Sequence, residues 1–137
     1  MSLTEIRKEI MKNANPQKAL LLQRFFKTGP GEYGEGDIFL GIMVPVQRSI
    51  AKKYRHLNLK DLKELLHSNN HEERLIALLI LVEQYKKGDE NLKEEIFTFY
   101  HLHRKIKTWL LNAPTFSARL CQEILYILIH SIYDSTI

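Results

Sequence analysis

The sequence is poor in the residues that support disulfides, tight turns and metal sites. One cysteine, Cys121, stands among 137 residues, so neither an intramolecular disulfide nor a cysteine-based zinc site is possible within one chain. A single thiol suits a reducing compartment, and we expect the cytoplasm. There are four prolines and six glycines, and five of the glycines lie between Gly29 and Gly41. Outside that segment, the chain therefore has few residues that interrupt a helix.

Long apolar runs and cofactor motifs are also missing. The longest apolar run, residues 75–82 (LIALLILV), is too short to span a bilayer, and the charged N-terminus does not resemble a signal peptide. The six histidines have no metal-ligand spacing. Gly31 and Gly36 have the spacing of a Walker A loop, but Asp37 and Ile38 stand where lysine and serine or threonine are required. We expect no membrane association, no metal and no cofactor.

Positive charge is concentrated at the start of the chain. The net charge is +4, and residues 1–56 hold ten Lys/Arg against five Asp/Glu. Residues 57–112 hold nine of each, and residues 113–137 hold one arginine against two carboxylates. This asymmetry favours a polyanionic partner. The alternative is a basic surface that is merely solvated.

Apolar spacing predicts helices almost throughout the chain. Predicted caps are Ser2, Asn15, Asn58 and Asp89, and Gly88 is predicted to end the longest helix. About seven helices with short turns predict a single all-α domain over residues 1–137. Antiparallel helical hairpins stacked as a short HEAT-like α-α superhelix are the expected architecture, and a plain helical bundle is the alternative.

Several buried faces follow from the same spacing. One apolar stripe is formed by Leu59, Leu62, Leu65 and Leu66, and Leu20 or Leu21 is expected to face the core. Residues 71–88 are apolar nearly all round in their middle, which predicts a central buried helix.

The segment at residues 24–45, RFFKTGPGEYGEGDIFLGIMVP, interrupts this helical pattern. A glycine-rich loop leaves backbone N–H groups accessible, and such a loop can approach a phosphate backbone closely. Six cations flank it and are the candidate DNA-binding residues: Arg24, Lys27, Arg48, Lys52, Lys53 and Arg55. The alternative is that the segment is a long linker with no binding role.

The same segment carries a long resemblance to a known family. The sequence resembles the DNA alkylation repair proteins, the AlkD-like DNA glycosylases with HEAT-like repeats, at Lys18, Ala19 and residues 23–37, 39–42, 44, 45 and 48. Residues 71–90 resemble the next helical repeat of that family. The resemblance covers residues 1 to about 100, and residues 101–137 are expected to be a divergent tail.

The resemblance implies a helical solenoid with a basic concave face for duplex DNA. It also implies hydrolysis of the N-glycosidic bond to cationic N3- or N7-alkylated purines. Such bases leave as neutral molecules, and a fixed carboxylate stabilises the oxocarbenium-like sugar and positions water. The family places that carboxylate in a W-D-x-V-D motif.

The chain departs from the family at that motif. Trp109 is present as a remnant, but Leu110, Leu111 and Asn112 follow it, and no carboxylate lies between Glu95 and Glu123. Family members also continue for several helices beyond the position of Ile137. We therefore expect no catalytic residue and little glycosylase activity. A frameshifted gene and a natural short form both fit this pattern, and a non-catalytic helical-repeat module that binds DNA or protein is the alternative function.

The sequence also predicts two kinds of partner. We expect weak, sequence-independent binding to duplex DNA through the six cations. The apolar segment at residues 116–133 predicts a homodimer or higher oligomer, unless it completes the core of its own chain.

Overall fold

The computed structural model describes residues 2–25, 30, 36 and 38–102, and this part of the chain is all-helical. It contains six helices and no strand: α1 (Leu3–Lys12), α2 (Pro16–Phe25), α3 (Val44–Lys53), α4 (Leu59–Leu66), α5 (His71–Lys87) and α6 (Glu90–Leu102). The predicted all-α class is confirmed. Lys27, the motif around Trp109, the last predicted helix and the segment at residues 116–133 lie outside the described residues.

Local side-chain caps set the starts of α1, α2, α4 and α6. The side chains of Ser2, Asn58 and Asp89 accept hydrogen bonds from backbone N–H groups three residues ahead, at 3.2, 2.8 and 2.8 Å. Asn15 accepts from Gln17 and Lys18 at 3.1 and 3.2 Å. Each cap satisfies a donor that the first helical turn leaves unpaired, so all four predicted caps are confirmed.

Helix α5 forms the centre of the fold. It is buried from Leu75 to Val82 on every side, and α3, α4 and α6 all pack against it. Leu62, Leu65 and Leu66 of α4 are buried as predicted, and Ile6 and Ile10 supply the buried face of α1. The predicted central helix is confirmed, because only a helix covered by several neighbours tolerates an apolar surface all round.

Helix α2 differs from the prediction of a core-facing leucine. Leu20 and Leu21 are 63% and 65% exposed, and every residue from Pro16 to Arg24 is exposed or partly exposed. The apolar spacing correctly predicts that this segment is helical, but it does not predict which face is buried. Burial depends on a neighbouring element that the local sequence does not specify. None of the helices in the described part of the chain is long and apolar enough to cross a bilayer.

Candidate nucleic-acid interface

Helix α3 carries three of the six predicted DNA-binding residues, and its packing fixes which face is exposed. Gln47, Ile50, Ala51 and Tyr54 are buried against the core at the i, i+3, i+4, i+7 spacing of one helix face. Val46 is 38% exposed, since Gln47 takes the inward position. The cations of α3 are therefore directed away from the core.

Arg48 and Lys52 lie one turn apart on the exposed side of α3, so their side chains are neighbours. Among the described residues, neither of them forms an ion pair that would neutralise it. Two uncompensated cations on adjacent turns make this side of α3 the most positive site that the predicted set forms.

Lys53 has a different environment. Its Nζ lies 3.6 Å from a carboxylate oxygen of Glu9 in α1 and 5.7 Å from the centre of the Tyr54 ring. The ion pair offsets its charge, so Lys53 connects α3 to α1 and is less available to a phosphate than Arg48 or Lys52.

Arg55 lies in the turn after α3, and helix α5 holds that turn in place. Gln84 Nε2 donates to the backbone oxygens of Arg55 and Leu57, at 2.8 and 2.7 Å. The guanidinium Nε of Arg55 donates to the ring of His56 at 3.2 Å. The backbone of Arg55 is therefore fixed, and its exposed side chain continues from α3.

Arg24 lies apart from these residues in sequence and secondary structure. It is exposed in the last turn of α2, across the glycine-rich segment from α3. The structure thus places four of the six predicted residues on α3 and its following turn, one on α2, and Lys27 outside the described residues.

The end of the glycine-rich segment packs tightly against α2. Gly41 has a φ of +81°, and a Cβ at that position would lie 2.0 Å from the backbone oxygen of Asn15 and 2.7 Å from the nitrogen of Ala19. The Asn15 N–H donates to the Leu40 oxygen at 2.8 Å. Only glycine fits at this position, because the backbone is left-handed and lies in direct contact with the backbone of Asn15 and Ala19.

A buried carboxylate also binds the end of the glycine-rich segment, at residues 40–42. Glu72, in the first turn of α5, is fully buried, and its Oε2 accepts from the backbone N–H groups of Leu40, Gly41 and Ile42 at 2.8, 2.6 and 3.1 Å. This oxygen satisfies three donors that no helix or strand pairs. Sequence reasoning missed this arrangement, although an acidic residue in an otherwise buried helix is a signal that could have found it.

The contacts between Glu72 and residues 40–42 form an anchor, and hydrogen bonds of neighbouring residues extend it. The Ile38 N–H donates to the Asn69 oxygen at 3.1 Å, and the His71 N–H donates to the Ile38 oxygen at 2.8 Å, which forms an isolated parallel bridge. The ring of Phe39 stacks on that of His71 with centres 4.6 Å apart. Residues 38–42 are therefore attached to the start of α5 at several points.

Glu73 is the second buried carboxylate of this turn, and its contacts are different. It accepts a hydrogen bond from the Ser68 hydroxyl and lies 3.4 Å from Nε of Arg7. It thus stabilises the turn before α5 and the contact with α1, and no hydrogen bond joins it to residues 38–42 in the described part of the chain.

The carboxylates nearest to Trp109 in sequence are Glu95 and Glu123. Glu95 lies on α6 in a cleft with Leu59, Asn91, Glu94, Thr98 and Phe99, whereas Glu123 and Trp109 lie outside the described residues. Within residues 2–25, 30, 36 and 38–102, no group of three or more histidine, cysteine, aspartate or glutamate side chains is placed to hold a metal ion.

Comparison with known families gives one match. The family described as DNA alkylation repair enzyme matches residues 6–124, which is 119 of the 137 residues. The match extends past residue 100 and so includes part of the segment that the sequence predicts to diverge. No curated protein and no solved structure matches the chain.

Proposed function

Since the chain belongs to the DNA alkylation repair enzyme family, we propose that it binds duplex DNA through the exposed face of α3. The contact is with the phosphate backbone and is independent of base sequence. Arg48 and Lys52 are the principal residues, and Arg24, Lys27 and Arg55 add weaker attraction from the adjacent segments.

One observation carries this proposal. Arg48 and Lys52 lie on adjacent turns of a helix whose opposite face is buried against α5, and no carboxylate pairs with them among the described residues. Fixed cations of this kind bind phosphates, because binding releases condensed counterions from DNA. Lys53 has a smaller part, since Glu9 already offsets its charge.

The experiment is a salt titration of binding to a short fluorescent duplex. We expect the affinity to fall steeply with salt and the double variant Arg48→Glu/Lys52→Glu to lose binding at low salt. An affinity unchanged between low and moderate salt contradicts the proposal.

Lys8→Glu/Lys12→Glu is the matched control. Lys8 and Lys12 are also exposed and one turn apart, and Lys12 also lies in the last turn of its helix, α1. Both double variants change the net charge by the same amount. Equal loss of binding in the two variants would show that net charge, rather than the face of α3, controls the interaction.

We also propose that the helices form the start of a HEAT-like stack. The turns from α3 to α4, α4 to α5 and α5 to α6 are short, and α5 packs against all three of these neighbours. Both features suit stacked helical hairpins. An experimental structure in which the hairpins do not stack would contradict this arrangement.

For the chemistry, we propose that this chain releases little or no alkylated base. No carboxylate lies between Glu95 and Glu123, and Asn112, the first polar residue after Trp109, has no charge to offset a developing cation. One preorganised electrostatic group typically contributes about 3–4 kcal/mol to transition-state stabilisation, so its loss slows release about a hundredfold or more.

The test is release of 7-methylguanine and 3-methyladenine from alkylated duplex DNA, measured against an enzyme-free control because these lesions also depurinate spontaneously. Release at the control rate is expected. Release clearly above that rate, and lost in Glu95→Gln or Glu123→Gln, would show that another carboxylate performs the reaction. Binding of DNA without base release would indicate a DNA-binding module. Absence of both DNA binding and base release would favour a protein-binding module.

A further inference from the structure

We propose that Glu72 is a positioning residue that connects the central helix α5 to the start of the DNA-binding helix α3. This inference rests on the proposed function of α3 for its effect on binding, but the anchor itself is measurable without DNA. The observation is the set of contacts that its buried carboxylate makes with the three residues just before Met43, the N-cap of α3.

The geometry suits an anion-binding backbone turn. Three consecutive N–H groups converge on one oxygen of Glu72, at 2.8, 2.6 and 3.1 Å. Successive N–H groups turn to the same side where the chain passes through a left-handed conformation, which Gly41 supplies with a φ of +81°. Hydrogen bonds to a carboxylate are about twice as strong as neutral ones, and burial excludes water that would compete for these donors.

The anchor extends directly to α3 through Ile42. Its N–H donates to Glu72, and its carbonyl oxygen accepts from Nε2 of the buried Gln47 at 2.8 Å. Gln47 is the inward-facing residue adjacent to Arg48. Glu72 therefore fixes Ile42, and Ile42 in turn holds Gln47 in the first turn of α3. The position of Gln47 sets the direction in which Arg48 and Lys52 face.

Burial explains why this role belongs to a charged residue. A fully buried carboxylate is costly unless donors surround it, and here the backbone of residues 40–42 supplies three donors to Oε2, while Oε1 is buried without a hydrogen-bond partner among the described residues. The backbone N–H groups in turn have no partner in a helix or strand, so loss of the carboxylate leaves up to three buried donors unpaired. The Glu72 carboxylate and the N–H groups of residues 40–42 therefore depend on each other, as expected of a contact that positions the backbone.

The first test is amide hydrogen exchange of the unmodified protein. We expect the amides of Leu40, Gly41 and Ile42 to exchange slowly although they lie outside every helix. Exchange as fast as that of an unstructured loop would overturn the inference without any variant.

The second test compares Glu72→Gln with Glu73→Gln. Both substitutions remove one buried charge from the first turn of α5, but only Glu72 contacts residues 40–42. We expect Glu72→Gln to speed exchange of those three amides by at least about tenfold and to weaken duplex binding severalfold, with helical content kept. Glu73→Gln should leave both the three amides and duplex binding unchanged.

The outcomes separate this inference from the proposed function. Amides that stay protected in Glu72→Gln overturn the anchor. Faster exchange with unchanged duplex affinity, while Arg48→Glu/Lys52→Glu still loses binding, overturns the positioning role. If the unmodified protein binds no DNA, the proposed function fails and the effect on binding fails with it, whereas the exchange measurements still decide whether the anchor exists.

Discussion

Substituting Gly41 with alanine tests the tight packing between the glycine-rich segment and α2. The new Cβ would lie 2.0 Å from the Asn15 oxygen and 2.7 Å from the Ala19 nitrogen, well inside van der Waals contact. Both atoms belong to the backbone at the start of α2, so no side-chain rotation can relieve the overlap. Relief requires the segment and α2 to separate, which weakens the Asn15–Leu40 hydrogen bond.

The magnitude has two parts. A left-handed conformation costs alanine about 1–2 kcal/mol, and the lower entropy of the unfolded alanine chain offsets about 0.4–1 kcal/mol of that cost. Overpacking adds about 1–3 kcal/mol. We therefore expect Gly41→Ala to lower the free energy of unfolding by about 1–5 kcal/mol, which is a large share of the roughly 5–15 kcal/mol of a typical domain.

Gly36→Ala is the control that separates the two parts. Gly36 has a φ of +77°, close to that of Gly41, but a Cβ there would have no neighbour within 4 Å. Its cost is therefore conformational only, about 1 kcal/mol. Urea unfolding of both variants, followed by circular dichroism, gives the difference directly. Equal destabilisation of the two variants would refute the steric argument.

Two further predictions concern other parts of the chain. Burial, and then the charge of Glu90, raise the pKa of the Tyr85 hydroxyl above its ordinary value of 10.0. The neutral hydroxyl therefore stabilises the folded protein fully below about pH 10, and this stabilisation is lost as the pH rises through the folded-state pKa. Tyr85→Phe should therefore show a smaller fall in thermal stability than the unmodified protein between about pH 9 and 11, and an identical fall would contradict this. The apolar segment at residues 116–133 predicts a dimer or larger oligomer at micromolar concentration, and a monodisperse monomer by light scattering would show that prediction to be wrong.

The starts of α1, α2, α4 and α6 were predictable because their causes are local. A cap depends on one side chain and on N–H groups two or three residues ahead, and Ser2, Asn15, Asn58 and Asp89 all follow that rule. The burial of α5 was predictable for a related reason, since an apolar surface on every side leaves no solvated face.

Contacts between distant segments were not predictable in the same way. Glu72 and Gly41 are 31 residues apart, and nothing in the spacing of either segment indicates that one meets the other. Leu20 and Leu21 show the converse case, because their spacing is apolar and helical although they remain exposed. Local sequence determines the helix, and the neighbouring elements determine which of its faces is buried.

Gly88 shows that a correct position can have an unexpected cause. It ends α5 as predicted, but its φ is −83°, a conformation that any residue adopts. A Cβ would instead lie 2.9 Å from the Gln84 oxygen and 2.9 Å from the Leu92 side chain. Glycine is needed there because α6 starts close against the end of α5, a contact that the sequence around a helix end does not reveal.

Binding and base release depend on different parts of this chain, and that difference makes the proposed function testable. Phosphate contacts need exposed cations on a fixed surface, and α3 supplies Arg48 and Lys52 from within the described residues. Base release needs a carboxylate held against the sugar, and the sequence around Trp109 has none. If the family's activity had been retained through Glu95 or Glu123, a single Glu→Gln substitution would remove release and leave duplex affinity intact. Loss of affinity together with release would instead mean that the carboxylate supports the fold of the binding surface, because a purely chemical role leaves phosphate contacts unchanged.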